Sequence, residues 1–127
     1  MESDEIRSYK GLDVWRVSMD LAEHCYRATR EFPRDEIYGL TSQIRRSAAS
    51  IPANIAEGYG RESTGSLIQF LRIARGSLKE LETHIVLAER VEALKPAGSA
   101  DLQAEADRIG RILRNFIRSL QAKSRES

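Results

Sequence analysis

Helix-breaking residues are rare in this sequence, and their scarcity limits the folds that it can adopt. The 127 residues include three prolines and eight glycines. Between these breakers lie long segments with apolar residues at steps of three and four, the spacing of one helix face, and few strand-like alternations. The pattern predicts four helices, over about residues 12–30, 37–59, 64–92 and 100–122.

The short connections between these helices predict an all-α fold, an antiparallel up-down-up-down four-helix bundle. Ser63 or Thr64 is placed to cap the third helix, and Ser99 is placed to cap the fourth. A chain of this length buries enough surface to form one core, so residues 1–127 are expected to form a single domain. The tails, residues 1–8 and 123–127, are expected to be flexible.

The composition is that of a soluble globular protein. Hydrophobic residues make up 41% of the chain and charged residues 31%, which argues against both a disordered chain and a membrane protein. No window reaches the roughly 20 apolar residues of a membrane span. The chain also starts with acidic residues, where a secretory signal would be basic. We therefore expect a cytoplasmic protein with no membrane association.

The first predicted helix carries more apolar surface than one bundle core requires. One stripe consists of Leu12, Trp15, Met19, Ala22, Tyr26 and Thr29. A second stripe lies beside it and consists of Val14, Val17, Leu21, Cys25 and Ala28. Part of this helix is therefore expected to meet another subunit or to lie under another helix.

The second predicted helix contains a proline and a group of polar residues. Pro52 lacks the amide that would bond the carbonyl of Ala48, which predicts a kink, and Ser47 and Ser50 are close enough to satisfy the opened backbone.

Asn54, Glu57 and Gly58 follow the proline at helical spacing. In a structural interpretation, Asn54 and Glu57 bond backbone groups or a nearby arginine such as Arg61, and Gly58 lets the chain turn or another helix approach. In the alternative interpretation, these residues contact a ligand or a partner.

The net charge of +1 conceals blocks of opposite sign along the chain. Residues 37–79 contain six basic and two acidic residues, 80–107 contain two and seven, and 108–127 contain six and one. In an up-down bundle these blocks separate into an acidic and a basic pole. The residues expected at the basic pole are Arg61, Arg72, Arg75, Arg108, Arg111, Arg114 and Arg118.

Four of these arginines, at positions 108, 111, 114 and 118, fall within one arc of the fourth helix, opposite its apolar stripe. Three interpretations are open. The arc is an ordinary solvated face with bases placed late in the helix, where the helix dipole favours them. Alternatively it contacts phosphates through bidentate guanidinium groups, or it binds a protein.

Two runs of sequence are similar to a known family. They are YGLTSQIRRSAASIPANIAEGYGR at 38–61 and FLRIARGSLKELE at 70–82, and the opening LDVW at 12–15 matches as well. These runs resemble the small bacterial four-helix proteins known as 23S rRNA-intervening sequence proteins, and Pro52, Asn54, Glu57 and Gly58 lie at the signature positions.

The resemblance implies a ring-like homopentamer with no established catalysis. In a related branch, the accessory proteins of diversity-generating retroelements, a basic pentamer binds a reverse transcriptase and nucleic acid. This chain is nearly neutral, in contrast to that branch.

Catalytic and metal sites are not indicated. Cys25 cannot form an intramolecular disulfide, and its apolar setting predicts a buried thiol. His24 and His84 lack the repeated Glu-x-x-His pairs of bundle metal sites, and Glu80 with His84 supplies too few ligands. We expect no enzyme activity and no cofactor. Two functions remain: a homo-oligomer that binds RNA or DNA, or a scaffold that binds a protein client without nucleic acid.

Overall fold

The computed structural model describes residues 9–126 and confirms an all-helical chain. Its α-helices are α1 (Asp13–Thr29), α2 (Leu40–Tyr59), α3 (Thr64–Arg90) and α4 (Pro96–Glu126). Short 3-10 turns, Tyr9–Gly11 and Arg34–Glu36, precede α1 and α2. The described residues contain no strand. The predicted tail 1–8 lies outside these residues.

The four helices pack as a bundle around one apolar core. α1 packs against α2 and α4, while α3 packs against α2 and α4, and the most extensive contact joins α2 to α3. The core contains side chains from every helix, among them Leu21, Ile51, Leu78 and Leu113, all fully buried. Burying one such side chain contributes about 1.5–3 kcal/mol, so the apolar stripes hold the helices together.

α1 and α2 differ from their predicted bounds to different extents. α1 begins and ends within one residue of the prediction. α2 begins at Leu40 and not at 37, because residues 34–36 form a separate 3-10 turn and Gly39 occupies the capping position. Tyr38 is 94% exposed in this connection.

α2 continues through Pro52, which is buried. The serine contacts were predicted wrongly: Ser47 Oγ donates to the carbonyl of Gln43, and Ser50 Oγ pairs with Ser77 Oγ of α3 at 2.8 Å. Neither hydroxyl bonds the Ala48 carbonyl, because each has a partner elsewhere.

Ser63 is the cap of α3, as one of the two sequence alternatives predicted. Its side chain accepts a hydrogen bond from the backbone N–H of Ser66 at 3.1 Å. The helix ends at Arg90, two residues before the predicted end. Glu92 has a left-handed φ of 63°, and the amides of Ala93 and Leu94 both donate to the carbonyl of Ala88. This left-handed residue stops the helix.

The predicted start of α4 was wrong. The helix begins at Pro96, four residues before the predicted start, and Ser99 is buried inside it and accepts a hydrogen bond from Gln103 Nε2 at 2.7 Å. Proline suits the first helical position because its φ is already helical and its missing N–H needs no partner there. The helix also extends past the predicted end at 122, to Glu126.

Candidate nucleic-acid interface

Four of the predicted arginines border the contact between α3 and α4. The register of this contact is fixed by Gly110 and Leu78, since a Cβ on Gly110 would lie 3.5 Å from Leu78 Cδ2. At roughly 100° per residue, two arginines lie on the side of α3 that faces α4, and two lie on the side of α4 that faces α3. The first two are Arg72 and Arg75, and the second two are Arg114 and Arg118.

Arg111 lies next to Arg114 and Arg118 on the solvent side of α4. Of the five residues, Arg75 is half-buried and the others are exposed. None of them forms an ion pair or hydrogen bond with another described residue. We refer to Arg72, Arg75, Arg111, Arg114 and Arg118 as the arginine face.

Arg61 lies apart from the arginine face. It follows α2, where its Nη2 is 2.6 Å from Glu57 Oε1 and its guanidinium lies 5.0 Å from the centre of the Phe70 ring. A cation held by a carboxylate and an aromatic ring is already partnered within the chain.

Arg108 lies one helical turn before Arg111, at the edge of α4 that borders α1. It lines a small recess between α1 and α4 together with Asp20, His24 and Glu105. Of the seven arginines predicted at one pole, Arg61 is paired within the chain and Arg108 lines the α1–α4 recess, while the other five form the arginine face.

The neighbouring α1–α4 contact contains a short polar pair. His24 Nδ1 lies 2.8 and 2.9 Å from the two carboxylate oxygens of Glu105. Behind it, Cys25 is fully buried, and burial followed by the charge of Glu105 raises the pKa of its thiol to about 12. The thiol is therefore protonated near neutral pH and is a poor nucleophile.

The signature residues of α2 make contacts within the bundle. Asn54 Nδ2 donates to the carbonyl of Ser50 at 2.8 Å and to its Oγ at 3.0 Å. Glu57 pairs with Arg61 on the surface. Gly58 is buried against Phe70, with no positive φ. These contacts are those that the structural interpretation predicted for Asn54, Glu57 and Gly58. Gly58 allows α3 to approach closely and does not form a left-handed turn.

A second surface feature is an apolar groove between α1 and α2, with a volume of about 600 Å³. One wall contains Trp15, Met19 and Tyr26, and the α2 floor is made of small residues, Ala49, Pro52, Ala53 and Ala56. Met19 and Tyr26 are each 43% exposed. We refer to this feature as the α1–α2 groove.

The groove accounts for the extra apolar surface of α1. In the second predicted stripe, Val14, Leu21 and Cys25 are buried in the core. The first stripe contributes Trp15, Met19, Ala22 and Tyr26 to the groove. The alanine floor was missed by the sequence analysis. Its signal was the alanine spacing of α2, which is ambiguous because alanine suits both core and surface positions of a helix.

Metal-binding and membrane-spanning features are absent from residues 9–126. No group of three or more His, Cys, Asp or Glu side chains is arranged to hold a metal ion in this part of the chain. Over the same residues, no helix combines the length and apolar character of a membrane span.

Both the fold and the sequence are similar to those of known proteins. A crystal structure of a protein of unknown function from the S23 ribosomal protein family of Bacteroides thetaiotaomicron superposes with a TM-score of 0.74 at 25% identity. The match covers 82% of this chain and 97% of that chain. No curated protein matches the chain. The sequence pattern of the 23S rRNA-intervening sequence protein family matches residues 10–115. Since this match spans most of the 127 residues, the chain belongs to the 23S rRNA-intervening sequence protein family.

Proposed function

We propose that this protein is a non-enzymatic, cytoplasmic homo-oligomer that binds nucleic acid through the arginine face. The observation that carries the proposal is the absence of any ion pair from the five arginines to another described residue. An exposed guanidinium without a carboxylate partner keeps its donors available for phosphate oxygens, which it binds in a bidentate manner.

The spacing of the arginines also suits a phosphate backbone. Arg111 and Arg118 are seven residues apart, which is about 10 Å along a helix. Successive phosphates of one strand are about 3.4 Å apart along a duplex axis, so the two arginines span about three phosphate steps. Arg72 and Arg75 extend the arginine face across the α3–α4 contact onto α3. Because these contacts are electrostatic, binding should weaken steeply as salt increases.

Helix direction brings these arginines to one end of the bundle in this proposal. Contacts between α2 and α3 pair residues in opposite order, Ser50 with Ser77 and Gly58 with Phe70. Between α1 and α2, Tyr26 near the end of α1 meets Arg45 near the start of α2. These pairs support the antiparallel up-down-up-down arrangement. In the ring-like homopentamer that the family resemblance implies, the arginine face would be repeated around the ring axis.

The alternative function is a scaffold that binds a protein client without nucleic acid. The α1–α2 groove favours it, since exposed apolar surface of this kind is typical of protein interfaces. A protein client would be recovered from nuclease-treated extract in a fixed ratio, and its binding would survive loss of the arginines.

The test is fluorescence anisotropy of the purified chain against structured RNA and duplex DNA at low and near-physiological salt. The test variant carries Arg111→Glu, Arg114→Glu and Arg118→Glu. A matched control carries Arg30→Glu, Arg34→Glu and Arg90→Glu, three exposed arginines outside the arginine face with the same change in charge.

Salt-sensitive binding that is lost in the test variant and kept in the control supports the proposal. Equal losses in both variants would reduce the effect to net charge, and no binding by the wild type at low salt would favour the protein scaffold.

A further inference from the structure

The outer surface of α3 carries exposed apolar residues that the bundle core does not use. Ile73 and Leu87 are each 45% exposed, and Val91, just after the helix, is 53% exposed. Together with Gly76 they fall within about 60° of the helix circumference, opposite the core residues Leu71, Leu78 and Ile85. We refer to Ile73, Gly76, Leu87 and Val91 as the outer stripe.

Gly76 is unexplained by contacts within the chain. It lies in the interior of α3, where glycine costs about 1 kcal/mol relative to alanine. A Cβ at this position would meet nothing within 4 Å, and the residue is exposed. Within one copy, alanine would therefore fit and stabilise the helix. A reason for glycine is the close approach of a surface from outside the chain.

The α1–α2 groove has the shape to receive such a helix. Its alanine floor allows a second backbone to approach closely, and Trp15, Met19 and Tyr26 supply a large apolar wall. Gly76 provides a notch for a bulky side chain of that wall. The groove and the outer stripe lie on different helices of the same chain, so one copy can present both at once.

Charges around the two surfaces are complementary. Asp20 and Glu23 line the α1 side of the groove, and exposed Arg46 lies beside its α2 side. The outer stripe is bordered by the base Lys79, whose Nζ lies 3.5 Å from Glu82 Oε1, and the acid Glu80 interrupts it between Ile73 and Leu87. We expect packing of the outer stripe into the groove to bring Lys79 near Asp20 and Glu80 near Arg46, and to leave Arg72 in the arginine face.

We propose that the outer stripe of one copy packs into the α1–α2 groove of the next copy. The occupant of the groove is thus a second copy of this chain. Two different patches make a heterologous interface, which generates a closed ring or an open chain and not a two-fold dimer. This inference rests on the homo-oligomer of the proposed function and adds the two surfaces that form it.

The test uses one exposed substitution on each surface. Ala53→Glu places a charge on the groove floor and leaves the outer stripe intact. Ile73→Glu places a charge on the outer stripe and leaves the groove intact. Ala122→Glu, at an exposed position of α4, is the matched control. Size-exclusion chromatography with light scattering gives the assembly state, and circular dichroism verifies the fold.

We expect the wild type and the Ala122→Glu control to assemble, and each test variant to be a folded monomer. Mixing the two monomeric variants should then yield a one-to-one dimer. The intact groove of the Ile73→Glu chain accepts the intact outer stripe of the Ala53→Glu chain, and no further copy can add. This complementation is specific to a heterologous interface.

The outcomes distinguish failure of the homo-oligomer from failure of the proposed interface. A wild type that is monomeric at about 100 μM would overturn the homo-oligomer itself. Assembly that survives both substitutions would overturn the interface and leave the homo-oligomer standing. Loss of assembly in the Ala53→Glu variant alone would assign the groove to a different surface, and so would the absence of a dimer in the mixture.

Discussion

Gly58 of α2 lies directly against Phe70 of α3, and a Cβ built on Gly58 would be only 2.6 Å from the Phe70 Cβ. The nearest atom is next to the α3 backbone, so rotating a flexible side chain cannot relieve the overlap. Leu67 Cδ1 would lie 3.2 Å away on the same side. Glycine at this position therefore sets how closely the two helices approach where α2 ends.

Gly58→Ala is expected to lower the free energy of unfolding by about 1–3 kcal/mol, the usual cost of overpacking, because the helices must separate. Urea denaturation followed by circular dichroism measures the change. Gly65→Ala is the control, since a Cβ there meets nothing within 4 Å and alanine is the better helix former. Equal stability of the Gly58→Ala variant and the wild type would contradict the close contact.

Ser63 stabilises the start of α3 through its hydroxyl. Ser63→Ala removes the bond to the Ser66 amide and should destabilise the protein by about 1 kcal/mol. Thr64→Ala, one residue later at an exposed position, should change stability by less than about 0.5 kcal/mol. Thermal unfolding of the two variants side by side tests this, and a larger effect at Thr64 would move the cap to that residue.

Hydrophobic periodicity was sufficient to predict the helices. Apolar positions such as Leu71, Leu78 and Ile85 recur at helical spacing and all are fully buried, so the number of helices and their inward faces followed from the sequence. The residues at which the helices begin and end were harder to predict. Pro96 marks both the end of a connection and a favourable first helical residue, and the sequence alone favoured Ser99 as the start of α4.

The arrangement of the surface was only partly predictable. The arc of arginines on α4 followed from helical geometry within one element. The position of Arg72 and Arg75 beside that arc depends on the register between α3 and α4, which is fixed by the contact of Leu78 with Gly110. That contact joins residues far apart in sequence. For the same reason, the Ser50–Ser77 hydrogen bond could not be foreseen from α2 alone.

Asn54 and Glu57 should differ in their effect on stability. Asn54 is half-buried and donates to both the carbonyl and the hydroxyl of Ser50, so Asn54→Ala should cost about 1 kcal/mol. Glu57 forms an ion pair with Arg61, and both side chains are about half exposed, so Glu57→Ala should cost less than about 0.5 kcal/mol. Urea denaturation compares the two variants.

Nucleic-acid anisotropy on the same two variants separates structure from binding. Unchanged affinity in both is expected, because neither residue belongs to the arginine face. A Glu57→Ala variant that is stable and assembled but no longer binds would instead assign this position to a ligand or partner contact.

Cys25 should make the stability of the protein depend on alkaline pH. The folded thiol has a pKa of about 12, against an ordinary value of 9.0. Below about pH 9 both the folded and the unfolded thiol are protonated, so the residue adds no pH dependence. Between pH 9 and 12 the unfolded chain releases a proton that the folded chain keeps. The free energy of unfolding then falls with a slope that approaches about 1.4 kcal/mol per pH unit.

Urea denaturation of the wild type and of Cys25→Ala at pH 7, 9 and 10 isolates this contribution, because the two proteins differ only at this residue. The wild type should lose about 1 kcal/mol more than the variant between pH 9 and pH 10. Parallel curves would show that the thiol ionises equally in the folded and unfolded chains. Iodoacetamide gives an independent check, because a buried, protonated thiol is alkylated only after unfolding.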